Sequence, residues 1–431
     1  MKKNSILTIL PLLIFVIFFL GCGIYYQDFY AVPSPIAAVV GIVAAFILLK
    51  GNLDEKTDIF LKGCGDGKIL TMCIIYLLAG AFAMVSKASS SVDSIVNLGI
   101  AYISPDFFPV GIFIMASFLS FASGTSVGSI VTLGPIIIEL AEKTNSPLGL
   151  IGASLLAGSM FGDNLSVISD TTIAATQSMG CEMKDKFREN FKLAFPAAII
   201  TIAILIFAGF QSEGSAAILL ETENYNLLLI LPYLLVILLS ITGVNVFVSL
   251  FSGIIFSGIL GLIYGKFDGM GLAKHTYEGF TSMTEIFLLS LLTGGLAAMV
   301  EHAGGINYIM KKINGIISSK RSASLGIGGL VGVANLCVAN NTIAILISGK
   351  IAKKITDQYQ LRPQASASVL DIFACYVQGL IPYGAQVLIL ISLSRFKIQY
   401  IDLFLHSYYL HLLIVITLLY IVFNKNLKTS E

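Results

Sequence analysis

The sequence predicts an all-α polytopic membrane protein, with about ten transmembrane helices and two re-entrant hairpins in two inverted-topology repeats. Three observations predict it. Of the 431 residues, 56% are hydrophobic and 12% are charged. That is half the charge of a soluble domain (about 25%), too little to cover a water-facing surface. Apolar runs of about 20 residues, the length that crosses a bilayer, recur along the chain. The order of these runs also occurs twice. The net charge of +1 says nothing about partners, and the lack of a basic run leaves no nucleic-acid partner expected. Six cysteines (Cys22, Cys64, Cys73, Cys181, Cys337, Cys375) lack CxxC or metal spacing and are read as small apolar residues.

Uninterrupted spans fall at 6–24, 31–49, 69–87, 193–210, 227–243, 245–264, 285–301 and 402–423. The first resembles a signal peptide, but the many spans downstream favour an uncleaved helix. Two longer runs, 148–177 and 364–394, are interrupted by polar or Gly/Pro residues and are read as broken spans. Runs 109–142 and 323–356 carry small polar centres, Ser123, Gly124, Thr125 and Ser126 in one and Asn340, Asn341 and Thr342 in the other. They are read as hairpins, because non-helical backbone at membrane depth must be buried in protein or line a water-filled cavity. This layout puts 20 of the 26 Lys and Arg on the side of the N-terminus. The positive-inside rule then makes both termini cytoplasmic.

Leu77–Ala88 matches Leu292–Ala303 at Leu77, Gly80, Ala83, Met84, Val85 and Ala88, an offset of 215. At an offset of 216, Gly124, Thr125 and Ser126 fall on Asn340, Asn341 and Thr342, and Pro147 on Pro363. The repeats are 1–210, with hairpin 109–142 and broken helix 148–177, and 227–423, with hairpin 323–356 and broken helix 364–394. Each has an odd number of crossings, so the second copy is inverted, a design in which the site lies near the midplane where interrupted helices meet.

The polar stretch 162–172 points to that site. A central Asp is disfavoured by roughly 2.5–3.5 kcal/mol, so buried acids face a cavity, pair, or bind something. Asp163 and Asp170 are the candidate Na⁺ ligands, seven residues apart and on one face if the helix were unbroken. Asn164, Ser166, Ser169, Thr171 and Thr172 supply neutral oxygens of the kind hard cations prefer. Helix capping is the competing use of the same residues. A carboxylate there holds either a proton or a cation, and that competition is enough for exchange. The second break, with Gln378, Gly379, Pro382, Tyr383 and Gly384, frees carbonyls but adds no acid. Asp371 precedes it as a functional acid or as a partner for a polar neighbour. The hairpin tips are expected to touch substrate or complete a second cation site. Glu139, Glu285 and Glu301 are read as interfacial, Lys87 as snorkelling and His411 as packing. Gly63–Lys68 lacks the first Gly and the final Ser or Thr of a phosphate-binding loop, so ATP drive is unsupported.

The segment GSMFGDNLSVISDTT (Gly158–Thr172), followed by the basic amphipathic Lys184–Lys192, resembles the signature of the NhaC-type Na⁺/H⁺ antiporter family, and the similarity runs from about Leu77 to Ile391. The resemblance implies that Asp163 and Asp170 are the cation and proton carboxylates, surrounded by Asn164, Ser166, Ser169 and Thr171. The sequence departs from the family where Asn164 stands in place of a frequent Lys and Val167 in place of a frequent Pro. The hairpin tips resemble those of the wider ion transporter superfamily, which implies a homodimer with a scaffold and a moving transport domain. The expected function is exchange of Na⁺ or Li⁺ for H⁺ across the cytoplasmic membrane. The alternative is Na⁺- or H⁺-coupled transport of a small organic acid or amino acid. The expected partners are therefore these ions, the lipid bilayer and, in the alternative, a small organic cargo of that class, with no enzymatic activity and no resident cofactor.

Overall fold

The computed structural model describes residues 6–26, 32–102, 104–166, 169–211, 225–242, 244–305, 308, 312, 315 and 317–423. The first half comprises α1 (Leu10–Tyr26), α2 (Ser34–Leu48), α3 (Leu53–Cys64), α4 (Gly67–Ala88), α5 (Ser91–Tyr102), α6 (Phe108–Ser123), α7 (Ser126–Thr144), α8 (Leu148–Leu165), α9 (Asp170–Met179) and α10 (Met183–Gln211). The second comprises α11 (Leu227–Ile241), α12 (Val246–Ile263), α13 (Gly269–Ser282), α14 (Thr284–His302), α15 (Lys320–Val338), α16 (Asn341–Gln358), α17 (Pro363–Leu380), α18 (Ala385–Leu393), α19 (Tyr400–His406) and α20 (Tyr408–Phe423). Among the described residues, seven helices are long and apolar enough to cross a membrane, or eight if a bent pair is one span. The chain is a multi-pass, helical membrane protein.

Both expected hairpins form helix–turn–helix pairs, α6–α7 and α15–α16, and both expected broken spans are interrupted, α8–α9 and α17–α18. The broken spans lie innermost: 94% of the apolar window in α8–α9 and 89% in α17–α18 is buried, against 39% in α10. Three helices were not anticipated. α3, α5 and α13 are short, and α3 and α13 are polar enough to escape a search for 20-residue apolar runs. Their starts obey local rules all the same. Asn52 accepts from the Glu55 amide to cap α3, and Asp268 accepts from the Gly271 amide to cap α13.

Helices α4 and α13 cross where both present glycine. A Cβ on Gly80 would lie 2.1 Å from the Gly279 carbonyl oxygen, and one on Gly279 would lie 2.4 Å from that of Gly80. Small residues let helix backbones approach this closely.

The last span departs from expectation. Instead of one helix over 402–423, α19 and α20 meet at an angle of 50° around Ser407. The bend takes Phe404's carbonyl out of the regular ladder. The His411 ring nitrogen approaches that oxygen at 2.7 Å, and the two rings pack edge to face. His411 packs as expected, and it also satisfies the backbone at the bend.

Candidate ion-binding site at the four chain interruptions

The two hairpin tips have the same backbone. Gly124 and Ala339 each adopt the left-handed region (φ 70° and 49°), followed by extended Thr125 and Asn340 that cap α7 and α16. The two breaks also match. Ser166 and Ile381 end their helices in extended conformation, and Ser169 and Gly384 start the next ones. All four correspondences fall at an offset of 215, so the tips align one residue away from the 216 read in the sequence.

Asp163 sits in the last turn of α8, ahead of the break, and is buried. It does not cap the second half-helix. That cap is Ser169, which accepts from the Thr171 amide. Ser169 donates its single proton to Asp163 Oδ1, so the Thr171 hydroxyl, 3.0 Å away, is the donor to Ser169. The other carboxylate oxygen accepts from Ser126 at the first hairpin tip, at 2.8 Å. Ser126 in turn accepts from Gln386 Nε2 (3.2 Å), and Gln386 Oε1 accepts from Gln378 Nε2 (2.9 Å). Gln378 also donates to the Ala339 carbonyl at the second tip (3.1 Å). One hydrogen-bonded chain therefore runs from Ala339 to Asp163 through both tips and both breaks.

A cavity of about 460 Å³ opens beside this chain. Its walls include Asp163, Ser169, Asp170 and Thr171 from the first break, Gly124, Thr125 and Ser126 from the first tip, Asn340, Asn341 and Thr342 from the second, and Gln378 and Gln386 from the second break. Among the described residues, the lining contains two carboxylates and no Lys, Arg or His. Gln378 Oε1 is buried without a partner. Asp163 and Asp170 reach the same cavity even though the break between them removes the shared helical face. Asp170 itself is exposed in the first turn of α9.

Other expected residues lie elsewhere. Asn164 is buried, with its amide nitrogen donating to the Tyr409 hydroxyl. Ser166 is buried, and Thr172 faces α10. The Ser123 side chain lies outside the described residues. Tyr383 packs edge-on against Phe15 and Phe19 and donates to the Leu336 carbonyl, so it anchors the second break to α1. Pro382 lies in that break. Gly379 leaves room for Leu410, and a Cβ at Gly384 would lie 2.6 Å from the Gln378 carbonyl oxygen. Asp371 is the partner of a polar neighbour, its carboxylate 2.5 Å from Lys186 Nζ and 3.0 Å from Asn190 Nδ2.

Lys186 and Asn190 were not singled out from the sequence. Lys186 counted among the interfacial bases, yet its side chain is 1% exposed. The available signal was spacing: Lys186, Glu189 and Asn190 recur at three and four residues, which puts them on one face of α10. Gln386, at the end of the second break's motif, was also missed.

The family described as "Na+/H+ antiporter family" matches residues 3–210 and 215–425. The malate-2H(+)/Na(+)-lactate antiporter of Bacillus subtilis is 24% identical, with 89% of this chain and 88% of that protein covered. The Na(+)/H(+) antiporter NhaC of the same organism is 24% identical over 75% of this chain and 78% of its own. The arginine/ornithine antiporter ArcD of Halobacterium salinarum is 24% identical over 74% and 72%.

Proposed function

The chain belongs to the Na⁺/H⁺ antiporter family, and from that premise we propose that it exchanges Na⁺, or Li⁺, for H⁺ across the cytoplasmic membrane. The observation that carries this reading is Asp163. It is a buried carboxylate where four chain interruptions meet, with each oxygen held by a hydroxyl and a cavity at its side whose described lining holds no base. Ser126, Ser169 and Thr171 can donate to a carboxylate or turn their lone pairs to a cation. The same pocket then holds H⁺ or Na⁺ but not both, and exchange follows if it is exposed to the two sides in turn. Asp170, exposed to the cavity, is the second carboxylate in this scheme.

The matching backbone steps at the tips and breaks support two repeats, 1–210 and 227–423, of inverted topology. In this reading α6–α7 and α15–α16 are re-entrant hairpins, and they move together with the broken spans in an elevator-type step against a dimeric scaffold. Both termini face the cytoplasm.

The cavity volume favours a second reading. About 460 Å³ far exceeds a water-sized site of about 30 Å³, which leaves room for an organic cargo beside the ion. Two relatives are named for malate–lactate and arginine–ornithine exchange. In this alternative the chain is a Na⁺- or H⁺-coupled carrier of a small organic acid or amino acid. The lining, with two carboxylates and no base among the described residues, suits an amine-bearing cargo better than a dianion.

Purified protein in liposomes separates the two. The exchange reading expects an imposed Na⁺ gradient to drive proton flux with no other solute present, and Asp163→Asn to abolish that flux at unchanged protein yield. Proton flux that appears only after an amino or organic acid is added would establish the alternative. Full Na⁺-driven flux in Asp163→Asn would remove this residue from the mechanism.

A further inference from the structure

Behind the first break, on the side away from the cavity, lies a second oxygen-lined site. Lys186 Nζ reaches into it from α10 and meets Asp371 Oδ2 at 2.5 Å, Thr172 Oγ1 at 2.7 Å and the Asn164 carbonyl at 3.3 Å. An ammonium has three protons and no acceptor, and here it has three oxygen acceptors. These come from the last turn of α8, the first turn of α9 and the middle of α17, so both broken spans contribute. Asn190 Nδ2 donates to the same Asn164 carbonyl and the same Asp371 oxygen. The oxygen of the same Asn190 amide, Oδ1, is buried without a partner among the described residues. None of these five residues lines the cavity.

One carboxylate, one hydroxyl, one carbonyl and one idle amide oxygen form a set of hard ligands for a monovalent cation. We propose that this is a second alkali-cation site, filled in this chain by the tethered ammonium of Lys186. The tether fixes the charge. A free ion can leave such a site, whereas Lys186 holds Asp371 compensated throughout the cycle and leaves Asp163 as the buried aspartate open to exchange. The inference goes beyond the exchange reading and can fail independently of it.

The test is a count of bound Na⁺. Wild type, Lys186→Ser and Lys186→Ser/Asp371→Asn are purified in NaCl, and equilibrium binding of radiolabelled Na⁺ is measured against choline chloride. Lys186→Ser is expected to bind one Na⁺ per chain more than wild type, and the double variant is expected to lose that gain. An unchanged count in Lys186→Ser, or a gain that survives Asp371→Asn, overturns the proposal. So does failure to recover folded Lys186→Ser in NaCl, because then no free cation replaces the ammonium. Recovery in NaCl but not in choline chloride supports it. A wild-type count of zero would count against Na⁺ exchange while leaving this comparison intact.

Discussion

At the scale of single residues, the site depends on which way successive side chains point. α8 continues to Leu165, so Asp163 and Asn164 are neighbours on a helix and diverge by about 100°. Asp163 turns to the cavity and Asn164 to Tyr409. The polar stretch stood out as a candidate site because polar groups are rare at such depth, but its division into cavity-facing and buried-network residues was not legible. That division depends on where the helix ends. The spacing of Lys186 was legible but its pairing was not, because its partner Asp371 lies 185 residues away. The hydroxyl contacts of Asp163 make a quantitative prediction. A hydrogen bond to a charged group contributes about 1.5–3 kcal/mol, a factor of about 10–100 in affinity. Ser126→Ala and Ser169→Ala are each expected to raise the Na⁺ concentration for half-maximal flux at least about tenfold. Gln386→Leu, which touches Asp163 only through Ser126, is expected to give a smaller shift. Unaltered Na⁺ dependence in both Ser variants would show that Asp163 does not act through these hydroxyls.

At the scale of elements, sequence pattern located both breaks and both tips but not the register that pairs the tips. Gly, Pro and polar residues announced both breaks and both tips. Their positions follow from local chemistry, with Ser169 capping α9 and left-handed Gly124 and Ala339 ending α6 and α15. The bend at Ser407 was not read from the run 402–423, because it carries no Gly or Pro and its carbonyl at Phe404 is satisfied by the Ser407 amide and one histidine ring. The α4–α13 crossing gives this scale its prediction. Overpacking a well-filled contact is destabilising by about 1–3 kcal/mol, and here the obstacle is a carbonyl that cannot rotate aside. Gly80→Val is expected to lower the thermal stability of the purified protein, or to prevent its recovery. Gly111→Ala is expected to be silent, since a Cβ there meets nothing within 4 Å. Equal melting temperatures for the two variants would refute the close crossing.

At the scale of the whole molecule, the proposed movement requires some contacts to break and others to persist. Hairpin α15–α16 touches α4 at its tip, where Asn340 Nδ2 lies 3.1 Å from Met72 Sδ. The elevator reading places that contact between the moving and the static parts. By contrast, Thr356 donates to Ser366 at 2.8 Å between α16 and α17, two elements that travel together in the same reading. Each pair can be replaced by cysteines after the six native cysteines are removed, then joined by a short bifunctional thiol reagent. Joining positions 72 and 340 is expected to stop Na⁺-driven proton flux, while joining 356 and 366 is expected to leave most of it. The contrast matters more than either loss alone, since a reagent that only blocked the cavity would act at 340 without any partner at 72. Single-cysteine proteins given the same treatment therefore complete the test. Normal flux through protein cross-linked between 72 and 340 would mean that the hairpin tip stays against α4 throughout the cycle, and the site would then have to open by a rearrangement within α8–α9 and α17–α18 themselves.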